Sequence, residues 1–200
     1  MRFKAFEKTI LEINKLCLPG IETQLKMAPS FRKQLMERYK EEQKTAKLAA
    51  VLALFYPSIE GDTLLVLILR KSYKGVHSAQ IGFPGGKPEP EDDGMEATAL
   101  RETWEEIGVS SDKIAVLREL TPIYIPPSNF LVSPFLGIAR EPLAFTLQSS
   151  EVDAVLEVSL LDFINDKSEV LSEVLAADGT AYEVPAFKLN GRIVWGATAM

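Results

Sequence analysis

The sequence predicts an α/β protein: an α/β/α sandwich around a mixed β-sheet, with an N-terminal helical extension. Three observations carry that expectation. Apolar runs of strand length recur from Leu48 onward. A well-marked amphipathic helix interrupts them over residues 95–107, and a shorter one follows at 160–164. Residues 1–45 have helical rather than strand texture.

Taken in order, residues 5–16 set Phe6, Ile10, Leu11 and Ile13 at helical spacing, and Leu18-Pro19-Gly20 stops that helix. A second helix is expected over 30–47, its charges mixed in the manner of a solvated face. This lead, 1–45, is expected to pack on a domain formed by 46–200. Residues 48–56 and 63–69 read as strands around a turn at Pro57–Asp62. A Gly- and Pro-rich stretch from Gly82 to Gly94 precedes the central helix, which Gly108 ends. Strands are expected at 114–120, 123–125 and 130–138. Residues 182–189 and 193–195 form a hairpin across Asn190-Gly191. Gly196 and the residues after it look like the opening of another helix.

Composition narrows the function. Two hundred residues suffice for a core without disulfide or structural metal. Lysine and arginine total 22 against 28 aspartates and glutamates, a net charge of −6, which disfavours a nucleic-acid partner. The single cysteine, Cys17, allows no internal disulfide and is expected to be a small packed residue. The single histidine, His77, removes two-histidine zinc sites. No apolar run reaches membrane-spanning length, and the N-terminus is charged, so a cytoplasmic location and no membrane partner are expected.

The chemistry is concentrated in Arg101-Glu102-Thr103-Trp104-Glu105-Glu106-Ile107-Gly108-Val109. At 100° per residue, Glu102, Glu105 and Glu106 share one arc of the helix. Ala97, Leu100, Trp104 and Ile107 share the opposite arc, which is expected to pack on the sheet. Three carboxylates so close repel one another unless a cation sits among them; Arg101 can pair with Glu105 one turn on. Oxygen-only sites suit Mg²⁺ or Mn²⁺. A solvated acidic face would look similar in isolation. However, Glu105 and Glu106 sit at the helix C-terminus, where negative charge is disfavoured. The turn Phe83-Pro84-Gly85-Gly86-Lys87 also leaves bare backbone beside them.

From Gly86 to Val109 the chain resembles the Nudix box, G-x5-E-x7-R-E-U-x-E-E-x-G-U, with U a bulky apolar residue. Thr103 replaces one apolar position. Counting back from Arg101 puts Asp93 at the early glutamate and Lys87 at the opening glycine, so Gly86 implies a one-residue insertion. Residues 67–87 are further similar to the signature preceding that box in coenzyme A pyrophosphatases, through Arg70, His77, Gln80, Phe83, Pro84, Gly85 and Gly86. Gly75 and Ala79 depart from it.

These resemblances imply a Nudix-type sandwich and a metal-dependent hydrolase of a small-molecule diphosphate, most closely coenzyme A or acyl-CoA, cleaved to 3′,5′-ADP and (acyl-)4′-phosphopantetheine. They imply Glu102, Glu105, Glu106 and the Gly86 carbonyl as Mg²⁺ or Mn²⁺ ligands. Arg101 would serve the catalytic helix, and Arg70, His77, Gln80, Phe83, Gly85 and Lys87 would face substrate. Glu151, in a loop that could fold over the site, is the candidate general base. ADP-ribose or nucleotide-sugar hydrolysis is the alternative of the same class, and a non-catalytic ligand sensor that of another. A homodimer is allowed but not required.

Overall fold

The computed structural model describes residues 1–71, 80–175 and 181–200. His77, together with Lys74, Gly75 and Ala79, lies outside the described residues.

The lead holds three short helices, α1 (Phe3–Ile10), α2 (Ile21–Gln24) and α3 (Arg32–Arg38). Expected helices at 5–16 and 30–47 are thus shorter; each tightens into a 3₁₀ turn, Leu11–Lys15 and Glu42–Thr45. The second has few apolar residues to bury, so packing does not extend it. Phe3 and Phe6 are buried, and the Phe6 ring lies 4.9 Å from that of Phe55. Cys17, expected to be packed, is exposed.

The strands follow as β1 (Lys47–Pro57), β2 (Thr63–Arg70), β3 (Ile81–Gly82) and β4 (Gly85–Gly86). Helix α4 (Gly94–Ile107) precedes β5 (Ile114–Glu119), β6 (Ile123–Ile125), β7 (Phe130–Ala139) and β8 (Val152–Ser159). Then come α5 (Leu160–Phe163), β9 (Glu169–Leu175), β10 (Ala181–Leu189) and β11 (Arg192–Trp195). Strands β8 and β9 have no counterpart in the sequence reading. Each is broken by polar residues, Asp153 and Glu157 in β8 and Ser172 and Glu173 in β9, which leaves no long apolar run to mark it.

Eight strands form one mixed sheet, ordered β3-β2-β1-β7-β5, with β4 on β1, β6 on β7 and β8 on β2. Strand β1 runs parallel to β7 from Lys47↔Phe130 to Phe55↔Ile138. Its apolar sequence follows from burial on both faces. Leu52, Leu54 and Tyr56 join Ala99 and Ile107 of α4 in one core, while Ala53 and Phe55 join Phe3 and Phe6 in the other. Helices cover both faces of the mixed sheet, as the expected sandwich requires, and the layer opposite α4 carries one addition. It combines α1 and α5 with a separate three-stranded antiparallel sheet, β11-β10-β9. The hairpin across Asn190-Gly191 forms as read, both residues having positive φ, but it belongs to this small sheet. The C-terminal residues Gly196–Thr198 make a single 3₁₀ turn.

One feature of the large sheet positions everything else. β1 pairs with β2 only near Phe55–Pro57, and then the two strands diverge. Into the split enters the chain between them: β3 pairs with β2, β4 pairs with β1, and Leu52 N–H donates to the Pro84 carbonyl at 2.9 Å. Gly85 adopts φ +149°, and a Cβ there would lie 2.2 Å from the Ala50 carbonyl oxygen. Only glycine fits. Among the described residues no helix is long and apolar enough to cross a membrane.

The lead is integral to the core on this geometry. Phe6→Ala should lower unfolding free energy by roughly 3–5 kcal/mol, read as a shift of the chemical denaturation midpoint with unchanged slope. An unchanged midpoint would show that the lead contributes nothing to stability.

Candidate active site

Helix α4 ends at Gly108, whose φ of +72° allows its N–H to bond back to the Trp104 carbonyl. The last carbonyls of the helix are then taken by a loop: Thr146 N–H donates to Ile107 and Gln148 N–H to Glu106, at 2.9 and 3.0 Å. This fixes which side of α4 faces the sheet. Thr98, Ala99, Thr103, Glu106 and Ile107 are buried. Trp104, expected on the packing face, is instead 59% exposed. The arc is rotated because small residues at 99 and 103 let the helix lie close to β1, and the Thr103 hydroxyl is satisfied by the Ala99 carbonyl at 2.7 Å.

The three glutamates therefore occupy unequal environments. Glu106 is 1% exposed, Glu102 15% and Glu105 44% by side chain. Glu106 Oε1 accepts from Arg70 Nη2 at 2.9 Å, and its Oε2 accepts from the Gly85 backbone N–H at 2.8 Å. Burial pushes its pKa up to about 7; Arg70 and the Gly85 N–H oppose that rise, and the negative charges of Glu102 and Glu151 add to it. Glu102 is raised too, chiefly by burial. Its carboxyl lies against Gly86, where a Cβ would fall 2.3 Å from Glu102 Cδ.

Arg101 is the hub. It grips Asp92 with Nε to Oδ1 at 2.9 Å and Nη2 to Oδ2 at 3.0 Å. It also donates to the Lys87 carbonyl at 2.8 Å, to Glu105 at 3.1 Å and to Glu102 at 3.3 Å. Asp92 additionally accepts from the Glu89 N–H and the Thr98 hydroxyl, and the Arg101 pairing holds its carboxyl well below the usual carboxylate range. The sequence reading placed the early acid at Asp93, counting back from Arg101. The structure puts Asp92 in that place, six residues after Gly86, so the extra residue lies between the acid and the helix. Counting forward from Gly86 would have found it.

The remaining expected residues divide. Arg70 was read as facing substrate phosphate; its guanidinium instead clasps Glu106 and reaches the Gly85 carbonyl at 3.3 Å. Gln80 accepts the Arg70 N–H on its carbonyl. Phe83 is half-buried against the core opposite α4. The Lys87 ammonium lies over the Phe130 ring, 5.7 Å from its centroid. Lys71, a further candidate for phosphate, donates from Nζ to the Ser149 carbonyl at 2.6 Å. Its N–H also holds the Glu151 carbonyl at 2.8 Å. The loop that caps α4 thereby brings the exposed Glu151 close enough for its charge to act on Glu102 and Glu106. Among the described residues no three acidic or other ligating side chains converge as a ready-made metal cluster. Glu102, Glu105 and Glu106 are each turned to an arginine or a backbone N–H. The donor set, carboxylates plus the Gly86 carbonyl, nonetheless fits a hard divalent cation, and the missing Cβ at Gly86 is what lets the Glu102 carboxyl lie against that backbone.

A NUDIX domain model matches residues 47–174. The mitochondrial coenzyme A diphosphatase of Homo sapiens is 32% identical over 145 residues, 72% of this chain and 61% of that protein, so less than two thirds of its length is matched. The corresponding protein of Mus musculus is 31% identical over 84% of this chain and 81% of its own. The Nudix hydrolase NudL of Photorhabdus laumondii is 31% identical over 68% and 71%.

Glu106 gives a pH dependence with a definite sign. Its pKa is higher folded, about 7, than its ordinary 4.5, so its contribution to stability is fully present below about pH 4.5 and is lost as pH rises through 7. Metal-free protein should lose on the order of 2–3 kcal/mol between pH 5 and 8 from this group. Denaturation series for wild type and Glu106→Gln should show that slope vanish in the variant. Parallel slopes would contradict the burial argument.

Proposed function

The chain belongs to the Nudix family, and on that premise we propose that it hydrolyses the diphosphate linkage of coenzyme A or an acyl-CoA. The products are 3′,5′-ADP and 4′-phosphopantetheine or its acyl form. The observation that carries this reading is the match, over 84% of the chain, to a coenzyme A diphosphatase. The geometry supports the chemistry independently: Glu102, Glu105 and Glu106 lie at one end of α4, and the Gly86 backbone lies against Glu102.

Glu102, Glu105, Glu106 and the Gly86 carbonyl would hold Mg²⁺ or Mn²⁺. When bound, such a cation neutralises the diphosphate and polarises its P–O bonds. The protein's own groups do the rest. Arg70 and the Gly85 N–H fix the orientation of Glu106, while Arg101 fixes Glu102 and Glu105 and is itself fixed by Asp92. Arg70 and Arg101 are positioning residues in this scheme. Glu151, exposed and on a loop tied down at both Gln148 and Lys71, takes the proton of the attacking water.

Three measurements test the scheme. Purified protein with Mg²⁺ or Mn²⁺ should cleave coenzyme A to the two products with higher kcat/KM than ADP-ribose; a clear advantage for ADP-ribose would remove the coenzyme A assignment. Glu151→Gln should lower kcat by roughly 10²–10⁴-fold while Mn²⁺ affinity holds, and an unchanged kcat would dismiss it as the base. Asp92→Asn should cost roughly 10–100-fold in metal affinity or turnover, whereas Asp93→Asn should leave both nearly intact. The reverse order would restore Asp93 as the working acid.

A further inference from the structure

Strand β8 breaks register beside the glutamates. Its pairing with β2 is regular from Leu64↔Ser159 to Leu69↔Ala154, but Arg70 then pairs with Val152, which leaves Asp153 as an extra residue. Bulges of this kind re-aim the residues around them and recur next to active sites. Leu156 and Val158 pack on the face away from α4, and strict alternation would send Val152 to that face as well. The bulge reverses it. Val152 is buried with Ala99 and Ile107 of α4, on the side where Arg70 meets Glu106. The same extra residue draws Glu151 along β2 by one position, roughly 3.3 Å, and sets it opposite Lys71.

Lys71 holds the turn there at two points. Its backbone N–H donates to the Glu151 carbonyl at 2.8 Å, and its Nζ donates to the Ser149 carbonyl at 2.6 Å. The turn is closed on itself by the Glu151 and Val152 N–H groups, both donating to the Gln148 carbonyl at 2.9 Å. Among the described residues no other side chain bonds to the backbone of residues 146–151. Two consecutive residues at the end of β2 therefore divide the work. Arg70 holds Glu106, and Lys71 holds the turn that carries Glu151. A strand, rather than the loop itself, sets the spacing between the two carboxylates.

We propose that Lys71 is a positioning residue for proton transfer: its ammonium, through the Ser149 carbonyl, holds Glu151 where it can take the proton of the attacking water. This rests on the reading of Glu151 as the base. The Lys71 side chain is exposed, so its removal should leave global stability almost unchanged. What it removes is the fixed placement of one carboxylate.

Lys71→Met keeps the aliphatic stem and removes the donor. With Mn²⁺ and the better substrate of coenzyme A and ADP-ribose, kcat should fall about tenfold, the scale of a small misplacement of a reacting group. KM, Mn²⁺ affinity and the denaturation midpoint should hold. Lys71→Arg, which retains a cationic donor, should recover most of the loss. In the Glu151→Gln background Lys71→Met should cost nothing further, because both changes act through one group. Amide exchange should speed up in Lys71→Met at residues 149–152 and stay unchanged in β1 and β7. An unchanged kcat, a full further loss in the Glu151→Gln background, a parallel loss of Mn²⁺ affinity, or unchanged exchange in the turn overturns the proposal. If Glu151→Gln lowers kcat and Lys71→Met does not, the base stands and the tether falls. If Glu151→Gln itself leaves kcat unchanged, the base reading falls and the proposal with it.

Discussion

Four carboxylates, Asp92, Glu102, Glu105 and Glu106, are held around the last three turns of one helix, and their mutual repulsion is the constraint to which the rest of the site answers. Two guanidiniums make the arrangement tolerable. Arg101 engages three of the four at once and adds the Lys87 carbonyl, while Arg70 and one backbone N–H serve the fourth. Charge-assisted contacts of this kind are worth more where water is excluded. Glu106, the most buried of the four, accordingly has the most rigid partners.

Those partners exist because β1 and β2 part. The split admits Phe83-Pro84-Gly85-Gly86, sets the Gly85 N–H against Glu106, and brings Gly86 against Glu102 with no Cβ between them. Arg70 lies at the end of β2, next to the same opening. Fold and site are thus one problem: the sheet must open where the helix ends. The loop from Thr146 to Glu151 closes the arrangement by capping the helix and carrying a further carboxylate toward it.

Much of this was legible in the residues. Gly108, the run of glutamates and the Asn190-Gly191 turn each encode local geometry through backbone freedom or spacing, and each is found as read. What was not legible depends on tertiary contact. Trp104 fits an apolar arc on a helical wheel, yet the small residues Ala99 and Thr103 decide which side can approach β1. Arg70 looked free for substrate until the fold placed Glu106 beside it, and Asp92 was displaced by one position because the insertion could be set on either side of the acid. Strands β8 and β9 are interrupted by Asp153, Glu157, Ser172 and Glu173, so neither offers a long apolar run or a clean period of two.

The central claim, that this carboxylate array is a divalent-cation site assembled by the split sheet, is tested most directly by crystals grown with Mn²⁺ and measured at the manganese absorption edge. The expected result is anomalous density contacting glutamates of α4 and the Gly86 carbonyl, with Arg70 and Asp92 still holding their present partners. Density confined to other carboxylates, or none at these residues at saturating Mn²⁺, would contradict it.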